Sequence, residues 1–263
     1  MLGTIAWIGV ATVATIAGCE LLRRSSPRRG LALLWGLPLL GLGPWSATEA
    51  DFTWFSWAKL MSVCLAAGAV VAMRTRARHW PAMRTVLVAI LVLNIAEALV
   101  AEALQRGFTL NVAAAGLLLI TMPGPRAIEA DDDGMRYALT GWWIAAYSVW
   151  NFTFVYGHVY PDAVGPYAAF AVVHLVTPLL VMRADPARYM EARAFALALL
   201  MIWRFSFPES PWLIRTPELF VPALHHGLSV GSLLLASVVG LRAWQSGRGL
   251  VGSWTRCTRR ARA

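Results

Sequence analysis

Apolar runs near the length of a membrane helix recur along this chain, separated by short polar connections rich in arginine. Nine can be drawn: residues 4–22, 31–47, 54–73, 85–105, 109–122, 137–157, 166–183, 191–207 and 219–244. A helix rises about 1.5 Å per residue, so roughly 17–25 apolar residues cross a hydrocarbon core about 30 Å thick. Most of the runs meet that length; 109–122 and 191–207 are short, and are either tilted or partly buried. The pattern predicts an all-α polytopic membrane helix bundle of about nine transmembrane helices, N-outside and C-inside. It forms one domain over residues 1–244, with a basic cytoplasmic tail at 245–263.

The arginines orient this drawing. Cytoplasmic connections carry an excess of Lys and Arg. With the N-terminus outside, Arg23, Arg24, Arg28, Arg29, Arg74, Arg76, Arg78, Arg84, Arg126, Arg136, Arg183, Arg188 and Arg193 fall inside, as do the arginines from 242 onward. Only Arg106 and Arg215 fall outside, and Arg204 lies within the eighth run. If 109–122 did not cross, everything after it would invert, against the rule.

Composition agrees. The chain is 58% hydrophobic and 14% charged, which sets it in the membrane class. A net charge of +9 would suit a nucleic-acid binder, but the arginines punctuate apolar runs instead of sharing a soluble face, so no nucleic acid is expected. Cys19, Cys64 and Cys257 have no metal-type spacing, and no disulfide framework is expected. Ile16-Ala17-Gly18-Cys19 has the look of a lipoprotein cleavage box; the arginines just after it argue for an uncleaved first span. Trp7, Trp45, Trp54, Trp80 and Trp142 fall near span ends, as an interfacial belt would. Residues 123–136, with three consecutive aspartates, read as a solvated loop. Gly227, Gly231, Ser232, Ala236 and Gly240 give the last span a small-residue seam, within the chain or in a homo-oligomer through the Gly227/Gly231 face. Pro178 kinks the seventh span. No internal repeat is visible, so the inverted-repeat mark of many transporters is missing.

Polar residues inside apolar runs carry the functional signal. A charge at the centre of a membrane helix costs about 2.5–3.5 kcal/mol on insertion scales, so it needs a partner or a task. Lys59, the single lysine of the chain, and Glu97 lie in the outer halves of consecutive spans and form the cheapest ion pair. Asn94 shares a helix face with Glu97. Thr140, Tyr147, Asn151 and His158 line one face of the sixth span at helical spacing. His174 and Thr177 follow in the seventh span, Arg204 in the eighth, and His225 and His226 in the ninth. Consecutive histidines point about 100° apart, so one of that pair at most joins a site. The predicted ligand- or ion-binding set is Lys59, Asn94, Glu97, Tyr147, Asn151, His158, His174, Arg204 and His226. It forms an outward-facing pocket above an apolar floor. No metal site and no cofactor is predicted; the cofactor alternative is haem held by His174 with His225 or His226.

Ala146-Tyr147-Ser148-Val149-Trp150-Asn151-Phe152 resembles the signature stretch of an uncharacterised family of bacterial multi-pass integral membrane proteins. Trp54-Phe55-Ser56-Trp57-Ala58-Lys59 and Asn94-Ile95-Ala96-Glu97-Ala98 are similar to two further segments of it, and Arg193-Ala194 before Leu197-Ala198 to a fourth, in the same order. The resemblance implies that Lys59, Glu97 and Asn151 belong to the family's motifs; it brings no activity. The expected location is the cell (inner) membrane, with the lipid bilayer and a small-molecule or lipid ligand as partners. The favoured function is a small-solute or ion/proton-coupled transporter. A membrane enzyme acting on a lipid or isoprenoid substrate from the outer leaflet, and a receptor or assembly subunit, are the alternatives.

Overall fold

The computed structural model describes residues 2–48, 54–160, 163–182, 185–208 and 215–246. Each apolar run carries a helix. These are α1 (Leu2–Arg24), α2 (Pro27–Leu31) continued through a π-turn (Ala32–Gly36) into α3 (Leu37–Thr48), α4 (Trp54–Ala72), α5 (Pro81–Arg106), α6 (Leu110–Thr121), α7 (Gly141–Tyr156), α8 (Ala168–Val181), α9 (Tyr189–Ser206) and α10 (Pro222–Ser246). Four are long and apolar enough to cross a membrane: α1, α4 from Phe55, α5 and α10. The chain is thus all-α with four membrane-length helices, compatible with a membrane location. The helices α6 and α8 are apolar but shorter, and the 16 residues of α7 extend about 24 Å.

Local chemistry sets the boundaries. Gly107, at φ 75°, ends α5 in a backbone region open to glycine. Thr109 and Thr140 cap α6 and α7 by accepting the N–H groups of Val112 and Trp143. Two antiparallel hairpins interrupt the helices. In the first, β1 (Ile128–Asp131) pairs with β2 (Gly134–Tyr137); in the second, β3 (Val159–Tyr160) pairs with β4 (Ala163–Val164).

Cross-helix contacts define two ends of the bundle. At one, Arg74 donates to the Leu22 and Ser25 carbonyls at 3.0 and 2.6 Å. Arg78 pairs there with Asp132, and Arg136 with Asp131 and Asp185. At the other, Lys59 near the start of α4 meets Glu97 late in α5, and Ser56 meets Arg204 in the last turn of α9. The Tyr156 hydroxyl at the end of α7 donates to the Leu219 carbonyl just before α10. Starts of helices therefore meet ends of their neighbours, and arginines concentrate at the first end.

Several sequence expectations change. The sixth run does not begin a helix at 137: Tyr137 closes β2, and α7 starts at Gly141. Thr140 is its cap and His158 lies beyond Gly157, which ends it, so the polar stripe on the helix itself reduces to Tyr147 and Asn151. Residues 123–136 are not simply solvated loop. Ile128 and Met135 are buried, and the Glu191 carboxylate accepts the Met135 N–H at 2.6 Å. Trp7, Trp80 and Trp142 are exposed as a belt requires, but Trp45 is buried, 5.7 Å from the Phe205 ring; the Trp54 side chain lies outside the described residues. Arg193 is not in a cytoplasmic connection: α9 begins four residues earlier, and the side chain is 4% exposed. The small-residue seam of α10 divides. Ser229, Ser232 and Ala236 are buried where α10 packs on α6 and α7, whereas a Cβ on Gly227 or Gly231 would meet nothing. The tail from 247 onward, with Cys257, and also Arg183, lie outside the described residues.

Candidate ligand cavity

The site is built from the polar residues that five helices, and the loop after α7, carry toward one end of the bundle. Lys59 Nζ on α4 donates to Asn94 Oδ1 at 3.0 Å and to Glu97 Oε2 at 3.2 Å, both on α5. Asn94 and Glu97, one turn apart, thus receive one ammonium. Asn94 in turn donates to the Ile90 carbonyl of its own helix, which fixes its amide oxygen toward the lysine. The ion pair is only 15% and 20% exposed at its side chains. Low local dielectric strengthens the attraction there and raises the cost of breaking it.

A second network lies across the cavity. Arg193 on α9 donates to Asn151 Oδ1 on α7 and, at 3.1 Å, to the backbone carbonyl of His174 on α8. Its guanidinium lies 5.7 Å from the centroid of the Tyr147 ring. One arginine therefore ties three helices together. At the mouth Arg204 donates to the Tyr167 hydroxyl at 2.8 Å and faces Ser56 Oγ at 3.4 Å.

The cavity between these networks is about 720 Å³ counting its open mouth. Its walls include Lys59, Asn94, Tyr147, Asn151, His158, His174 and Arg204, with Phe55, Trp150, Phe154, Tyr167 and Phe170 supplying aromatic surface. Seven of the nine residues proposed from sequence thus share one cavity. Glu97 stands behind Lys59 as its counter-ion and is not part of the wall. His226 is exposed on α10 and does not line it. His158 lies in the loop after α7, its ring 5.5 Å from Tyr167 and 5.6 Å from Phe154. Burial, then the charges of Arg204 and Arg106, push this imidazole down to about 4. His174 lines the cavity, whereas His225 sits against Arg106 and beneath Gly157. No group of three or more metal-ligating side chains occurs among the described residues.

The floor is not solid. A second cavity, about 600 Å³, lies on the far side of Asn94, Tyr147 and Leu197, which line both. Its walls are mainly apolar, among them Val63, Val70, Leu87 and Met190, and toward the arginine-rich end Ile128, Met135 and Tyr137 of the first hairpin line it. Arg193 is the charged residue in its lining.

Sequence reasoning missed Arg193 and Glu102. The Glu102 carboxylate is 4% exposed and accepts from Thr109 and Asn111, each at 2.8 Å, fastening the α5–α6 turn. The Thr-x-Asn step after the glycine was the available signal. The fold and site define an all-α protein with four membrane-length helices and an internal cavity that carries polar side chains. No family model, curated protein or solved structure matches the chain.

Proposed function

We propose that the chain is a nine-crossing carrier of the cell (inner) membrane, N-outside and C-inside, moving a small solute through the two stacked cavities. The observation that carries this reading is their common wall. Asn94, Tyr147 and Leu197 separate a polar cavity near one end from a more apolar one lined by a hairpin toward the other. Carriers expose one site alternately to each side, so a thin septum between two half-channels is the geometry they use. Of the helices too short to cross alone, α6 and α7 pack on α10, and α8 packs on α1 and α9. Pro178 within α8 frees a backbone carbonyl beside His174 and supplies a bending point. The family resemblance is part of the proposal: Lys59, Glu97 and Asn151, its motif residues, all belong to the networks around the cavity.

An enzyme acting on a lipid from the outer leaflet is the second reading, favoured by the open mouth beside aromatic walls. Purified protein in proteoliposomes separates the two. Carriage gives solute flux that is lost in Glu97→Gln; product turnover without flux supports the enzyme. Flux unaffected by changes at Lys59, Glu97 and Asn151 would remove the cavity from the mechanism.

A further inference from the structure

The cavity's hydrogen-bonding groups are unevenly used. Asn94 Oδ1 accepts from Lys59 and Asn151 Oδ1 accepts from Arg193, so both amide oxygens that line the cavity are engaged by cations. Donors are left over. Trp150, 1% exposed and part of the wall, has an indole N–H with no acceptor. Its nitrogen can only donate. His174, 3% exposed, has an Nε2 with no partner. Lys59 has three donors, and the two contacts to Asn94 and Glu97 leave one.

Charge points the same way. Lys59 and Glu97 cancel. Arg193, 4% exposed, is held by a backbone carbonyl, a neutral amide and an aromatic face, and no carboxylate among the described residues lies within ion-pair distance of it. A buried guanidinium held only by neutral groups is costly unless a counter-charge arrives. Arg204 is engaged at the mouth by the Tyr167 hydroxyl. Glu97 Oε1 also lacks a partner, but Glu97 is not in the wall and its charge is met by Lys59.

We infer that the solute is a small organic anion, a carboxylate on an apolar or aromatic body, held at the Asn94–Tyr147–Leu197 septum between Lys59 and Arg193. The carboxylate oxygens accept from Lys59 and Trp150, and its charge offsets that of Arg193. The body packs against Phe55, Phe154 and Phe170. A single carboxylate matches the charge of Arg193. The inference deepens the solute-carrier reading by naming what the cavity takes.

The test is equilibrium binding to the full chain in lipid nanodiscs, with acetate, benzoate and octanoate each measured against its own amide, and benzylamine as the cation. At least one acid is expected to bind at least about tenfold more tightly than its amide and than benzylamine. Arg193→Gln is expected to lose that preference, and Arg193→Lys to keep it. Equal binding of acids and amides, tighter binding of benzylamine, absence of any binding, or an unchanged preference in a folded Arg193→Gln overturns the inference. Should Arg193→Gln not fold, the comparison of acids with amides in the unaltered protein decides alone. The same preparations in proteoliposomes keep the two readings apart. Carboxylate binding without flux overturns carriage and leaves the anion site standing. Flux of neutral or cationic solutes, with no carboxylate preference, keeps carriage and overturns the anion site.

Discussion

Replacing Lys59 by methionine removes the ammonium from α4 and leaves the Glu97 carboxylate on α5 without its counter-charge. At the 3.2 Å separation of the pair, unit charges in an effective dielectric of about 20 attract by roughly 5 kcal/mol. Desolvation cancels part of that. Breaking a buried pair by removing one partner typically costs about 3–5 kcal/mol, because the survivor is left uncompensated. The residual exposure of both side chains places Lys59→Met near the lower figure, about 3 kcal/mol, or roughly two orders of magnitude in the folded-to-unfolded ratio. The double change Lys59→Met with Glu97→Met strands no charge, and is expected to cost less than Lys59→Met alone. Denaturant unfolding in mixed micelles, run as a double-mutant cycle, measures both. Additive single and double effects, or a Lys59→Met cost below about 0.5 kcal/mol, would refute the pair as drawn. The double variant also separates stability from function: carriage through the cavity requires that it fold and yet fail to move solute.

Three further outcomes follow from the geometry. Gly134 has φ 139° and a Cβ there would fall on the Glu191 carboxylate, so Gly134→Ala is expected to undock the first hairpin, cost about 1–3 kcal/mol and raise protease sensitivity near residue 132; unchanged protection counts against Glu191 as the anchor of the hairpin. His158 is held near 4, below its ordinary value of about 6.5, so the unfolded chain takes up the proton first; the stability it contributes is full above about pH 6.5 and falls as pH drops toward 4. Melting temperature should decline over that window and decline less in His158→Gln; equal slopes contradict the assignment. Arg78 and Asp132 pair where Asp132 is largely exposed, so Asp132→Ala is expected to change stability by less than about 1 kcal/mol in the same unfolding assay, and a larger loss would mean that this contact supports the hairpin.

The helices were legible because bilayer length and apolar composition leave one regular solution for each run. That Lys59 and Glu97 meet, on neighbouring helices, followed from counting residues in from the ends of their runs. What escaped the sequence has physical causes. Arg193 sits at a segment border, where the charge-bias rule assigns any arginine to the interface. Only the start of α9 at Tyr189, with Asn151 Oδ1 within reach, makes it internal. The first hairpin has four-residue strands, too short for alternation to stand out beside the aspartates. Thr140 and His158 fit the spacing of a helix face, yet a cap at one end and Gly157 at the other leave both outside the helix. Trp45 reads as a belt residue by position, but Phe205, distant in sequence, covers it. The second cavity depends on how α4, α5, α9 and β2 approach one another, which no local pattern encodes.

The central claim is that two cavities face opposite sides of a membrane across Asn94, Tyr147 and Leu197. Single cysteines at 151, in the first cavity, and at 194, in the second, can be probed in sealed vesicles of known orientation with a membrane-impermeant thiol reagent, after replacing Cys19, Cys64 and Cys257. The account expects position 151 to react from the outer face and position 194 from the inner face, with solute altering both rates. Reaction of both positions from the same face, or protection of both from either face, would contradict it.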